Sequence, residues 1–419
     1  MAKFIIQGGT PLTGEIRTAG NKNAALPIIA ATILTDEECK LNNVPQIRDV
    51  DTMLALLQDL GKKVEHTSTN SYHISGSVQK SKLDNKLAGN LRASILFMAP
   101  LLARTGQVET VPPGGCVIGR RNVDTHFDVI SAFGAKCQIE DKYYTATLSK
   151  PKAANIFLME SSVTATENAL LLAAQATGKS TIDNAAAEPH VTDLAVVLNK
   201  MGAIVQGAGT NHLEVTGTRK LSGFEHRIAP DHIETGTFAI AAACNKGSLI
   251  IHDAHPEHFY IIGNVLQKMG VQFKFTAEHD LYLKPSRLVS RDAKIRVGLW
   301  PGFPTDLMSP LIVLATQAHG VTLCHDWMYE SRMFFVDKLI AMGAQITQCD
   351  PHRVLVSGPT QLRGQELNSP DIRAGIALMI AALCARGRSI IDRAELIDRG
   401  YENIADRLNK LGAQIQRED

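Results

Sequence analysis

The sequence predicts an α/β protein made of six βαβαββ units in two domains of three, with buried helices inside and sheets outside. Three observations carry this. A short marker ending in glycine recurs six times at near-constant spacing. A helix apolar on nearly all faces precedes each marker. Short β-branched runs and turn glycines follow those helices, as strands following helices require.

The marker is seen in Leu57-Gln58-Asp59-Leu60-Gly61 and again in Leu198-Asn199-Lys200-Met201-Gly202 and Leu408-Asn409-Lys410-Leu411-Gly412. Its six glycines are 61, 134, 202, 270, 343 and 412, separated by 68 to 73 residues. An amphipathic helix that ends in glycine takes a left-handed residue there, and the apolar run after it reads as a strand. A period near 70 is too long for a solenoid repeat and fits one supersecondary unit copied along the chain. The apolar helices are expected over 23–34, 91–103, 166–176, 234–244, 306–318 and 371–385. Turn glycines 106, 178, 247, 320 and 387 follow them, then runs such as Ser180-Thr181-Ile182 and Ser389-Ile390-Ile391. No Ser- or Pro-rich linker divides the chain, so the domain boundary is expected near Arg227-Ile228-Ala229-Pro230.

Composition excludes several classes. Apolar residues make up 45% of the 419, and 43 basic against 42 acidic side chains leave a formal charge of +1. Such a balance gives no electrostatic case for nucleic acid or an anionic membrane as partner. The seven cysteines are widely spaced with no Cys-x-x-Cys pair, so they suggest neither a cysteine zinc site nor a disulfide framework. No apolar run approaches the ~20 residues of a membrane span, and the N-terminus lacks a secretory signal, so a cytoplasmic location is expected.

Cys116 stands in Pro112-Pro113-Gly114-Gly115-Cys116-Val117-Ile118-Gly119-Arg120-Arg121. The glycines and prolines exclude regular structure. The two arginines favour thiolate over thiol, and such a cysteine serves as a proton shuttle or as a nucleophile. Polar residues also mark the starts of the apolar helices: Lys22 and Asn23, Arg92, Glu167, Glu234, Asp306, and Asp371 with Arg373. Each alone reads as a cap or a dipole partner. Six together predict helix N-termini gathered around an anion, with Arg120, Arg121, Arg332 and Arg399 adding guanidinium forks for phosphate and carboxylate.

On these residues the chain resembles the enolpyruvyl transferases. The resemblance spans the chain and rests on Gly20-Asn21-Lys22-Asn23, Leu91-Arg92-Ala93-Ser94, the Gly-Gly-Cys loop at Cys116, Glu188-Pro189, Pro230-Asp231-His232-Ile233-Glu234, Pro301-Gly302-Phe303-Pro304-Thr305-Asp306, Asp371-Ile372-Arg373 and Asp398-Arg399-Gly400-Tyr401. It implies two inverse, barrel-like α/β domains, 22–229 and 1–21 with 230–419, closing on the substrates with the Cys116 loop as a lid. It implies transfer of the enolpyruvyl group of phosphoenolpyruvate to the 3′-hydroxyl of UDP-N-acetylglucosamine, the first committed step of peptidoglycan synthesis. No metal or organic cofactor is implied. Carried over by position, Cys116 is the acid to C3, Asp306 the base for the hydroxyl, and Lys22, Arg121 and Arg399 the clamps on phosphoenolpyruvate. Asn23, Arg92, Met328, Arg332, Asp371 and Arg373 complete the site, while Ser162, Val163 and Thr164 lie against the UDP pyrophosphate. The resemblance also implies that the epoxide fosfomycin alkylates Cys116.

Some positions depart from the family pattern. Glu160 stands where a basic residue occurs, Thr164 where a glycine occurs, His190 where an acid occurs and His232 where an arginine occurs. Asn122 replaces a proline and Arg120 is an added cation. Two further readings stay open: transfer to another nucleotide-activated acceptor, and a non-catalytic relative that binds UDP-sugar or phosphoenolpyruvate.

Overall fold

A computed structural model describes residues 2–114, 122–140, 142–291 and 294–419. The loop with Cys116, Arg120 and Arg121 therefore lies outside the described residues. The chain divides into two compact units: 2–19 with 230–419, and 20–114 with 122–229. Each has its own apolar core.

Three helices fill the first unit: His232–Cys244, Met308–Gln317 and Ile372–Cys384, packed on one another. Runs such as Ala239-Ile240-Ala241-Ala242-Ala243 let them sit there. A helix satisfies its own backbone, and these side chains present no polar group to the core. In the second unit the equivalents are Lys22–Ala31, Met98–Thr105 and Val163–Ala173.

Around each helix trio lie three sheets. In one, Lys294–Arg296 pairs parallel with Gly320–His325, the helix Met308–Gln317 making the crossover that parallel strands need. Gly320–His325 then pairs antiparallel with Arg353–Gly358, and that with Gln345–Asp350. The other sheets repeat this order. In the sheet of Gln107–Thr110 the parallel strand is reduced to the single bridge Lys82 to Glu109. All six marker glycines end their helices with φ between 84° and 107°, as the sequence predicted.

Two expectations need correction. The six repeats are not all continuous in sequence. The parallel edge strand beside Ser248–His252 is Thr13–Arg17, and the one beside Cys39–Asn42 is Glu225–Arg227. Lys3–Gln7 closes the sheet of Arg388–Asp392 and Gln414–Glu418. The chain passes between units after Ala19 and again after Ala229, so strands on either side of a crossing belong to different repeats.

Helix starts also differ. Arg92–Phe97 and Thr305–Leu307 are 3-10 turns, and the α-helices begin at Met98 and Met308. Pro100 and Pro310 explain this. Proline cannot donate to the carbonyl four residues back and sits most readily in a first turn, although Pro27 is carried inside the helix Lys22–Ala31. The helix expected from Thr166 instead begins at Val163, which places Glu167 in its second turn.

Candidate active site

The first unit gathers a buried ionic cluster where its helices begin. Asp306 lies in the 3-10 turn before Met308 and is a quarter exposed. Arg373 donates from Nη2 to Oδ2 of Asp306 at 2.8 Å, and Arg332 from Nη2 to Oδ1 at 3.4 Å. Arg332 also lies 3.9 Å from both Asp326 and Asp371 and stacks over the Tyr329 ring at 5.1 Å. Its side chain is almost fully buried, and the carboxylates around it offset the cost of that buried charge. Burial pushes the Asp326 carboxyl up, against the opposing pull of Thr305 and Arg332.

Asp371 caps the helix Ile372–Cys384, its Oδ1 accepting from the amides of Arg373 at 2.8 Å and Ala374 at 3.0 Å. Arg373 is held by a directional chain. Its Nη1 donates to the Tyr401 hydroxyl at 3.0 Å. Thr237 spends its own hydrogen on the carbonyl of Ile233, so Tyr401 donates to Thr237. Burial works against the Arg373 charge, but Asp306, Tyr401 and Asp231 outweigh it and raise its pKa. Arg399 is half-buried at the end of the turn Ala394–Arg399. Met328 packs against the core, and its amide donates to Asp326.

Asp231 and Glu234 serve the architecture. Asp231 caps the helix His232–Cys244, and burial pushes its carboxyl up to about 6. Glu234 pairs with Arg407 and accepts from the Ala19 amide at 2.6 Å, fixing the end of the first crossing segment. His232 is buried edge-on to Trp300 at 5.7 Å.

In the second unit Lys22 opens the helix Lys22–Ala31, capped by Asn21, and pairs with Asp49 at 2.6 Å. Asn23 follows it, half-buried. Arg92 opens its 3-10 turn and donates to the Asn122 carbonyl at 2.9 Å. Ser162 caps Val163–Ala173, and this start leaves the Val163 and Thr164 amides in the first turn, where no carbonyl within the helix reaches them. Thr164 is held from below. Asn168 donates from Nδ2 to both the Ile95 carbonyl and Nδ1 of His126, so the ring carries its hydrogen on Nε2 and donates to Thr164 at 3.1 Å. Glu167 is fully buried, and burial, then Glu188, raises its carboxyl well above the usual range. His190 is buried in the first turn of Pro189–Met201, and Glu160 is exposed.

The structure thus joins Asp306, Arg332, Asp371 and Arg373 in one cluster, with Met328 at its margin through Asp326. Sequence reasoning missed Asp49, Asp326, His126 and Asn168. Tyr401 stood within the Asp398–Tyr401 segment but had no role assigned; a buried tyrosine beside an arginine was the available signal.

The chain was compared with known proteins. The model of the family EPSP synthase (3-phosphoshikimate 1-carboxyvinyltransferase) matches residues 6–408. A UDP-N-acetylglucosamine 1-carboxyvinyltransferase of Treponema denticola is 47% identical, over 99% of each chain. One of Bradyrhizobium diazoefficiens is 46% identical, over 99% of this chain and 98% of its own. Among solved structures, the enolpyruvyl transferase NikO from Streptomyces tendae superposes with a TM-score of 0.89 at 23% identity, over 99% of this chain and 98% of its own. EPSP synthase from Acinetobacter baumannii does so at 0.77 and 17% identity over both full lengths. At these identities the two structures bear on fold alone.

Proposed function

Because the chain belongs to the enolpyruvyl (1-carboxyvinyl) transferase family, we propose that it transfers the enolpyruvyl group of phosphoenolpyruvate to the 3′-hydroxyl of UDP-N-acetylglucosamine, releasing phosphate. The observation that carries this reading is the end-to-end match, at 47% identity, to a relative bearing that activity in its name. The reaction is the first committed step of peptidoglycan synthesis and is assigned to the cytoplasm. Among the described residues no helix is long and apolar enough to cross a membrane.

The chemistry requires a proton at C3 of phosphoenolpyruvate while the sugar oxygen bonds to C2. Cys116 is assigned the proton to C3. Asp306 is assigned the proton from the 3′-hydroxyl, a task suited to a carboxylate whose orientation two guanidinium groups fix. The resulting ketal loses phosphate from C2 and a proton from C3, leaving the enol ether. Lys22, Arg121 and Arg399 are assigned to the phosphate and carboxylate of phosphoenolpyruvate, where fixed cations stabilise developing charge. Asn23, Arg92, Met328, Arg332, Asp371 and Arg373 position these groups. The first-turn amides of Val163 and Thr164, with Ser162, suit the pyrophosphate of the nucleotide. The support from His126 accounts for a threonine at 164, so this departure does not by itself require another acceptor.

Phosphate release from phosphoenolpyruvate, measured with a panel of UDP-sugars, tests the reading. Release that depends on UDP-N-acetylglucosamine is expected. Equal release with other UDP-sugars reassigns the acceptor, and no release with any of them overturns the transferase reading.

A further inference from the structure

Outside the residues assigned to the reaction, two loops of the first unit bring imidazoles and a carboxylate together. His255 and Glu257 flank Pro256 at the start of the helix Pro256–Lys268, and His279 sits in the turn before Leu281–Lys284. Potential ligand atoms of the three lie within 4.8 Å of one another, the one such group among the described residues. His255 Nδ1 is already 2.8 Å from a Glu257 oxygen. The His255 and His279 rings stand edge to face with centroids 5.6 Å apart.

The backbone that holds them is unusual. His255 has φ 43° and His279 φ 65°, and neither is glycine. Left-handed conformation is uncommon for a residue with a Cβ and gathers at functional positions. The loops are also tied together. Asp280 receives His252 Nδ1 at 2.7 Å and the Asp253 amide at 3.2 Å, while the Ala254 amide donates to the His279 carbonyl at 3.1 Å. These bonds set the spacing of the two histidines independently of their rings. Pro256 narrows the freedom of the chain between His255 and Glu257.

From this arrangement we propose that His255, Glu257 and His279 form a binding site for one divalent transition-metal ion, of the zinc, cobalt and nickel class. Two imidazoles and one carboxylate suit those ions rather than magnesium or calcium, which prefer all-oxygen sets. Ligands at about 2.1 Å from a tetrahedral ion stand roughly 3.4 Å apart, so the half-buried His255 and the exposed Glu257 and His279 close on the ion by small rotations. Water fills the fourth position. The cation sits at a helix N-terminus, an unfavourable place for positive charge, which the Glu257 carboxylate offsets. The ion cross-links the segment 253–257 to the turn 276–280. It takes no part in the transfer reaction, because none of its ligands belongs to the Asp306 cluster.

The test is titration of the full-length protein with Co²⁺, followed by electronic absorption and calorimetry, beside His279→Asn and His255→Asn. Asparagine tolerates positive φ, so both turns keep their backbone, and circular dichroism confirms the fold. One Co²⁺ per wild-type chain is expected, with visible bands of nitrogen and oxygen donors. Loss of a supporting group alone weakens metal sites 10–100-fold, so each variant is expected to bind at least about tenfold more weakly. Equal binding by wild type and the variants, or the intense near-ultraviolet band of a cysteine thiolate ligand, overturns the proposal.

Discussion

Arg373 reaches Asp306 with one arm of its guanidinium at 2.8 Å and Tyr401 with another at 3.0 Å. One buried cation thus links the start of one core helix to a hydroxyl hydrogen-bonded to another, since Tyr401 donates to Thr237 within His232–Cys244. The orientation of the Asp306 carboxylate is set by this chain of bonds together with Arg332.

Asp306→Asn keeps the shape and one acceptor oxygen but removes the carboxylate proposed as the base. General acid–base groups contribute about 10²–10⁴-fold, so kcat is expected to fall by that range while KM for UDP-N-acetylglucosamine stays within a few fold. Steady-state phosphate release checks this. An unchanged kcat removes Asp306 from the mechanism.

Asp231 makes a pH-dependent prediction. Its folded carboxyl, at about 6, lies above an ordinary value of 3.8 because it is buried. Between those values the folded state holds the proton and the unfolded state releases it. Stability from this group therefore falls as pH rises from about 4 to about 6, by on the order of 2–3 kcal/mol. Asp231→Asn retains an oxygen for the Ile233 and Glu234 amides but carries no charge. Urea unfolding of both proteins across this range is expected to show the variant gaining on wild type as pH rises. A constant difference contradicts the account.

Gly202 ends its helix with φ 107° and has no neighbouring atom within 4 Å of where a Cβ would stand. Gly202→Ala therefore isolates the cost of left-handed backbone, about 1–2 kcal/mol, and Gly202→Asn is expected to cost less. Denaturant midpoints at constant slope check the order. Equal stability of glycine and alanine forms contradicts the helix-ending role.

The six glycines were legible because each meets a backbone demand that other residues meet poorly. The buried helices were legible because their alanine-rich runs leave no polar face. The exchanged edge strands were not. Glu225–Arg227 is three residues long with a single buried side chain, too short for an alternation signal. The 3-10 starts followed from Pro100 and Pro310, which the apolar pattern around them concealed. In the candidate site, Asp306 and Arg373 stood out as charges at the ends of apolar runs. Asp49 and Asp326 did not, because a partner distant in sequence leaves no local trace: Asp49 meets Lys22 across 27 residues.

Arg120 and Arg121 follow closely in sequence the cysteine, Cys116, that is assigned the acid role. Fosfomycin, with UDP-N-acetylglucosamine present, is expected to add once to Cys116, read by intact mass and peptide mapping. Arg120→Ala is expected to raise the pH midpoint of Cys116 alkylation by iodoacetamide, since a lost cation disfavours thiolate. Absence of an adduct, or identical midpoints, contradicts the assigned thiol environment.

The most direct measurement is mass spectrometry of the nucleotide product after incubation of the protein with phosphoenolpyruvate and UDP-N-acetylglucosamine in D₂O. The account predicts UDP-N-acetylglucosamine carrying one enolpyruvyl unit, with solvent deuterium in its methylene group, because C3 gains and then loses a proton. Phosphate release without that adduct, or an adduct whose methylene never takes up deuterium, contradicts transfer by addition and elimination.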